Sequence, residues 1–217
     1  MKNNLNRRHF IKTAATGALG LSAASSAFSF NILSQYPLKD KYRVAVIGVN
    51  SRGSQHIQAF AKIPNVEIAY ICDVDSRARE NGIALALKEG VKTAPTGLVD
   101  FRKALEDKTL DAVSIAMPDF WHTPASIMAL QAGKHVYLEK PGSHNPAESE
   151  LLVEATKKYG KIVQMGNQRR SWPRVQEAMK ELHSGAIGKA YYARAWYTNT
   201  RKSIGYGKPA AVPDWLD

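Results

Sequence analysis

From Tyr42 onward the apolar positions fall into two alternating patterns. Short β-branched runs occupy 43–47 (Arg-Val-Ala-Val-Ile), 66–72, 111–116, 134–138 and 161–165, with a weaker one at 93–98. Between them, helical stretches are expected over 53–62, 76–89, 122–132 and 146–159. Each closes near a helix-stopping residue: Pro64, Gly90, Gly133 or Gly160. Strand and helix in regular alternation are the sequence form of repeated βα units. The expected fold is therefore α/β, a doubly wound parallel sheet over residues 42–165. The alternation ends near Gly166. Beyond it 173–183 reads as a helix and 189–198 as one long strand, so a second domain is expected to begin there and occupy 166–217.

Composition narrows the class further. With 44% hydrophobic and 23% charged residues the chain is an ordinary globular protein. Its net charge of +11 is partly concentrated at the start, where Lys2, Arg7, Arg8 and Lys12 stand among 27 residues without an acid. The remaining basic residues are scattered among acids, as in Arg77-Ala-Arg79-Glu80, which argues against a nucleic-acid partner. Cys72 is the single cysteine, so an intrachain disulfide and a CxxC site are both excluded, and no metal site is expected.

The start of the chain reads as a targeting segment. Arg7-Arg8 followed by Phe10-Ile11-Lys12, and then by an Ala/Gly/Ser-rich stretch, resembles a twin-arginine export signal. The resemblance implies a leader over 1–27 cut near Ala27, a linker over 28–41, and a periplasmic or otherwise exported protein. No charge occurs between Thr13 and Leu38, so a membrane span is the alternative, since ~20 apolar residues suffice. The Gly, Ser, Thr and Asn content weakens that alternative, and stable membrane insertion is not expected after cleavage.

The chemistry begins where the first strand runs into Gly48-Val-Asn-Ser-Arg-Gly53 and a helix. In that setting a glycine turn presents backbone N–H groups and a helix N-terminus to a pyrophosphate. Gly48 is expected to make the tight turn, Gly53 to let helix and strand pack closely, and Asn50, Ser51 and Arg52 to border the cofactor. Asn50 replaces the usual middle glycine; Asn tolerates left-handed backbone better than most residues. Asp73 ends the second strand 20 residues beyond Gly53, where an acid binds a ribose 2′-hydroxyl and repels a 2′-phosphate. The pair favours NAD over NADP. A plain strand-to-helix turn and a helix-capping acid are the competing readings, with Asp75 the better candidate for the cap.

Two further segments carry a family resemblance. Residues 111–122 (Asp-Ala-Val-Ser-Ile-Ala-Met-Pro-Asp-Phe-Trp-His) and 132–141 (Ala-Gly-Lys-His-Val-Tyr-Leu-Glu-Lys-Pro), with Met165-Gly-Asn-Gln-Arg-Arg170, resemble the glucose-fructose oxidoreductase / inositol dehydrogenase (Gfo/Idh/MocA) family over 42–217. The resemblance implies a Rossmann domain followed by the beginning of an α+β open-sheet domain, acting on a sugar or cyclitol with NAD. It places the active-site lysine at Lys140, at the carboxyl end of a parallel strand where ligands bind. It gives Glu139 the loop or the nicotinamide ribose, makes Pro141 cis, and sets Met117, Pro118 and Gln168 beside the cofactor. His122 is a candidate catalytic and cofactor-cleft residue, or equally a helix-starting histidine that caps a turn.

The resemblance also implies a catalytic acid and histidine from a C-terminal domain that 217 residues do not reach; His183 stands too early to replace them. The chain is therefore expected to be truncated, its full-length form a homo-oligomer. Three functions follow. The first is a sugar-directed NAD-dependent oxidoreductase with tightly held cofactor. The second is an NAD-dependent glycoside hydrolase or lyase working by transient oxidation. The third is a cofactor-binding but catalytically incomplete fragment.

Overall fold

The structure is a computed structural model that describes residues 39–198, 200, 202–203 and 205–217; the leader and most of the linker lie outside the described residues. Residues 41–217 form one unit. Six strands make one parallel sheet: β1 (Tyr42–Ile47), β2 (Val66–Cys72), β3 (Thr96–Leu98), β4 (Ala112–Ile115), β5 (His135–Glu139) and β6 (Val163–Gly166). Their order is β3-β2-β1-β4-β5-β6, the doubly wound order in which the chain reverses direction across the sheet between β1 and β4. The helices are α1 (Arg52–Ala61), α2 (Ser76–Lys88), α3 (Phe101–Leu105), α4 (His122–Gln131), α5 (Pro146–Tyr159) and α6 (Pro173–His183).

The apolar runs exist because both faces of the sheet are covered. Along β1, side chains alternate between the faces. Val44 and Val46 join Ile57 of α1 and Ala78 and Ala86 of α2 in one core layer. Ala45 and Ile47 join Ala125, Ala129 and Leu130 of α4, and Leu152 and Ala155 of α5, in the other.

Local signals set the helix ends. Asp75 caps α2 by accepting from the N–H groups of Arg77 and Ala78, as its position implied, and Asp100 caps α3. Asn145 caps α5, which begins with Pro146 and stops at Gly160 in the left-handed region, φ 60°. α1 has no side-chain cap, which leaves its first N–H groups for a ligand.

Two expectations are corrected. The helix α3 was not expected; it is short and rests on the Asp100 cap rather than on a long apolar stripe. The strand expected over 189–198 is not formed. Its residues have no strand structure, and Tyr191, Tyr192 and Trp196 are largely exposed. A strand needs a neighbour for its N–H and C=O groups, and none pairs with this stretch among the described residues. The helix expected over 173–183 forms, as α6, yet it buries no residue.

Candidate functional site

The turn after β1 enters the crevice between β1 and β4 at their carboxyl ends. Gly48 has φ 80°, and a Cβ there would sit 2.8 Å from the backbone of Ala116 and Met117. A Cβ on Gly53 would sit 2.0 Å from the Gly48 carbonyl oxygen. Both positions therefore exclude any other residue without movement of the backbone. Asn50 is exposed and does not use a positive φ, so the middle position never draws on the left-handed tolerance of asparagine.

Asp73 fixes this turn from β2. Its Oδ2 accepts from the Val49 N–H at 2.7 Å and its Oδ1 from the Asp75 N–H at 3.0 Å. A cavity of about 900 Å³ joins Gly48, Asn50, Ser51, Asp73, Met117 and Pro118, a size suited to a small-molecule ligand. Cys72 lines it too. Burial, followed by the nearby Asp100 and Asp73, pushes its thiol up to about 12, so it is a neutral group without nucleophilic character.

Glu139 closes β5 as a buried carboxylate, 3% exposed. Its Oε1 accepts from Arg52 Nε at 2.9 Å and from His56 Nε2 at 3.1 Å. His56 Nδ1 in turn accepts from the Ser114 hydroxyl at 2.8 Å, so a neutral imidazole with its proton on Nε2 satisfies both partners. Burial pushes the His56 pKa below its ordinary value, against the pull of the carboxylate. Burial alone would raise Glu139, but the hydrogen bonds from Arg52 and His56 outweigh it and hold the carboxyl below the usual range. The other oxygen, Oε2, accepts from the Lys140 N–H at 3.2 Å and from the Gln168 amide at 3.4 Å. Gln168 is the one non-glycine residue with positive φ, 46°, among the described residues. Such strain clusters at functional sites.

The Lys140–Pro141 bond is cis, and the Lys140 side chain stands exposed beyond the buried Glu139. Of the two readings of His122, its placement fits the helix-starting histidine that fastens a turn better than the catalytic one. His122 is 2% exposed, with Nδ1 2.5 Å from the Pro141 carbonyl and Nε2 2.8 Å from the Met117 carbonyl. Both ring nitrogens thus face backbone carbonyl oxygens, and because a carbonyl only accepts, a ring carrying one N–H donates to one of them at a time. The residue clamps the lysine loop to the loop after β4, and proton exchange with a substrate would require breaking that clamp.

The structure therefore gathers Gly48, Asn50, Ser51, Asp73, Met117 and Pro118 around one cavity, and links Arg52, Glu139, Lys140 and Gln168 by hydrogen bonds beside it. Sequence reading missed His56 and Ser114. The available signal was spacing: His56 lies four residues after Arg52, on the same face of α1. Among the described residues no cluster of three metal-ligating side chains occurs, and no helix is long and apolar enough to cross a membrane.

Fold and site together define a dinucleotide-binding α/β protein. The model for the Gfo/Idh/MocA oxidoreductase family, with its NAD-binding Rossmann fold, matches residues 42–167, and the chain belongs to that family. It is 32% identical over 178 residues to a "Glycosyl hydrolase family 109 protein" of Shewanella pealeana, covering 74% of this chain and 39% of the relative. Among solved structures it resembles myo-inositol 2-dehydrogenase from Lactobacillus plantarum, with TM-score 0.60 and 26% identity over 69% of this chain and 43% of that one. It shares its fold with scyllo-inositol dehydrogenase from Lactobacillus casei bound to NAD(H) and scyllo-inositol, with TM-score 0.60 and 23% identity over 68% and 42%. The chain spans less than half the length of each of these three proteins.

Proposed function

We propose that this protein is an NAD-dependent oxidoreductase acting on a hydroxyl of a sugar or cyclitol. The observation that carries the reading is the cavity at the carboxyl ends of β1 and β4, where the Gly48 turn and Asp73 meet next to the Glu139-Lys140-Pro141 loop. When bound there, NAD supplies a hydride acceptor or, reduced, a hydride donor. Gly48, Gly53 and the uncapped start of α1 receive the pyrophosphate. Asp73 receives the adenosine ribose. Its charge disfavours a 2′-phosphate; of the neighbouring arginines, Arg77 pairs with Asp75 and Arg102 with Asp100, while Arg79 donates to the Asp73 carbonyl. Glu139 orients the loop, and Lys140 exchanges a proton with the reacting hydroxyl. The name of the Lactobacillus plantarum relative supports a cyclitol or sugar as substrate.

Calorimetry with NAD and NADP, followed by a screen of aldoses and cyclitols for NADH formation, tests this reading. Lys140→Ala should abolish turnover while leaving NAD affinity within about twofold. Failure of the folded protein to bind NAD refutes the proposal.

A second reading, glycoside cleavage through transient oxidation, is favoured by the name of the 32% identical relative. Release of an aryl group from aryl glycosides with no net NADH would establish it instead. We also infer that the protein is exported with NAD already bound, because Arg7-Arg8-His-Phe-Ile-Lys12 fits a route that carries folded proteins. Changing Arg7 and Arg8 to lysine should block export of a reporter; continued export would refute the route.

A further inference from the structure

The cavity that receives NAD has a wall from outside the βα units. Residues 213–217 lie against the loop between β2 and α2. The Ser76 N–H donates to the Trp215 carbonyl at 2.9 Å, the Asp217 N–H to the Val74 carbonyl at 3.3 Å, and Asp75 and Leu216 form an antiparallel bridge. The Ser76 N–H is one of the first-turn donors of α2 that no intrahelical partner can satisfy, so this docking answers a need of the helix. It also brings the Trp215 ring over the Arg77 guanidinium, with Cζ 3.5 Å from the ring centroid. Arg77 is held from its other side by Asp75, with Nε to Oδ1 at 3.1 Å and Nη2 to Oδ2 at 2.9 Å. Trp215 and Arg77 are thus a fixed pair of flat groups, and both line the cavity.

Their position decides what they meet. They stand by the carboxyl end of β2, with Asp73 and Asp100, on the side of the sheet away from the Lys140 loop. In a doubly wound fold the acid after the second strand marks the adenosine half of the ligand. Phe101 and Trp121, in edge-to-face contact at 6.3 Å, line the same cavity and give it further aromatic surface. A planar base next to the Asp73 ribose site meets π-faces on which it can stack.

We propose that Trp215 is a cofactor-binding residue, holding the adenine of NAD at the adenosine end of the cleft together with Arg77. The proposal rests on the NAD reading and adds a residue that lies beyond the matched Rossmann segment. It gives the protein a means of retaining its cofactor that does not depend on the pyrophosphate turn.

The test uses the 217-residue chain with NAD, ADP-ribose and nicotinamide mononucleotide as probes, measured by calorimetry and by stopped-flow dissociation. Trp215→Ala should weaken NAD and ADP-ribose by about tenfold, chiefly through faster dissociation, and leave nicotinamide mononucleotide unchanged. Trp215→Phe should restore most of the affinity. Trp215→Leu, which keeps apolar cover over Arg77 without a flat ring, should behave like Trp215→Ala and keeps the test open if the alanine variant fails to fold. Unaltered ADP-ribose affinity in a folded leucine or alanine variant overturns this proposal alone. Failure of the unmutated chain to bind either NAD or ADP-ribose overturns the NAD reading and this one with it.

Discussion

Asp73 carries two duties that a single substitution can separate. Its carboxylate ties the glycine turn through the Val49 N–H and supplies the negative charge that opposes a 2′-phosphate. Asp73→Asn keeps an oxygen for Val49 and removes the charge. It should therefore narrow the preference for NAD over NADP, which paired calorimetric titrations will measure, and cost about 1–3 kcal/mol in stability because the amide NH2 replaces the oxygen that accepts from the Asp75 N–H. His56 is the reverse case, a residue whose first duty is to the protein. Removing it leaves the Ser114 hydroxyl and one oxygen of Glu139 short of a partner in a buried place, so His56→Ala should cost about 2 kcal/mol in urea unfolding. Because burial lowers its pKa, His56 stays neutral in the fold while the unfolded chain takes up a proton near its ordinary value. Its stabilisation is complete above that value and is lost as pH falls below it. The unmutated protein should lose stability on that acid limb, and His56→Ala should flatten it. Gly48, Gly53 and Asp73 could be singled out from sequence because motif spacing expresses a local backbone need, and Glu139 because its segment resembles the family. For His56 the one local signal is its four-residue spacing from Arg52, and a histidine on a buried helix face acquires its role only from what the next strands bring to it.

The start of α2 carries a bidentate ion pair, Arg77 with Asp75. The Arg77 guanidinium, with the backbone N–H groups of Arg77 and Ala78, holds the Asp75 carboxyl at about 2. A carboxylate so depressed stabilises the fold above its ordinary value and loses that contribution as pH falls towards about 2. Thermal unfolding followed from pH 5 to pH 2 should show a decline that Asp75→Asn makes shallower, since asparagine still caps but does not titrate. An identical decline in the variant would remove the helix start from the account. The α2 and α5 elements were legible in the sequence because stripe, cap and stop residues agree, and α1 because its stripe ends near Pro64. The stretch 189–198 misled because a run of Ala, Tyr and Trp states what a strand would bury, not whether a neighbour is there to pair with it.

Across the whole molecule, order is concentrated in the sheet. The central strands β1 and β4 are covered on both faces, whereas among the described residues α6 buries nothing and 189–198 pairs with no strand. Hydrogen exchange should therefore be slowest at Val46 and Val113, and fast at Tyr192 and Trp196. The amides of Ser76 and Asp217 should show intermediate protection because residues 213–217 dock on the β2–α2 loop. Equal exchange at Ser76 and Trp196 would contradict that docking. The sequence by itself determined the α/β alternation, the glycine turn and the strand-end acid, because each is a short-range pattern imposed by backbone geometry, while the Glu139-Lys140-Pro141 loop was legible through its family resemblance. Only the tertiary structure decided that His122 is a clamp, that His56 and Ser114 stand behind Glu139, and that Trp215 lies on Arg77. Most of those contacts join residues far apart in the chain, and their energy comes from burial and from pairing polar groups.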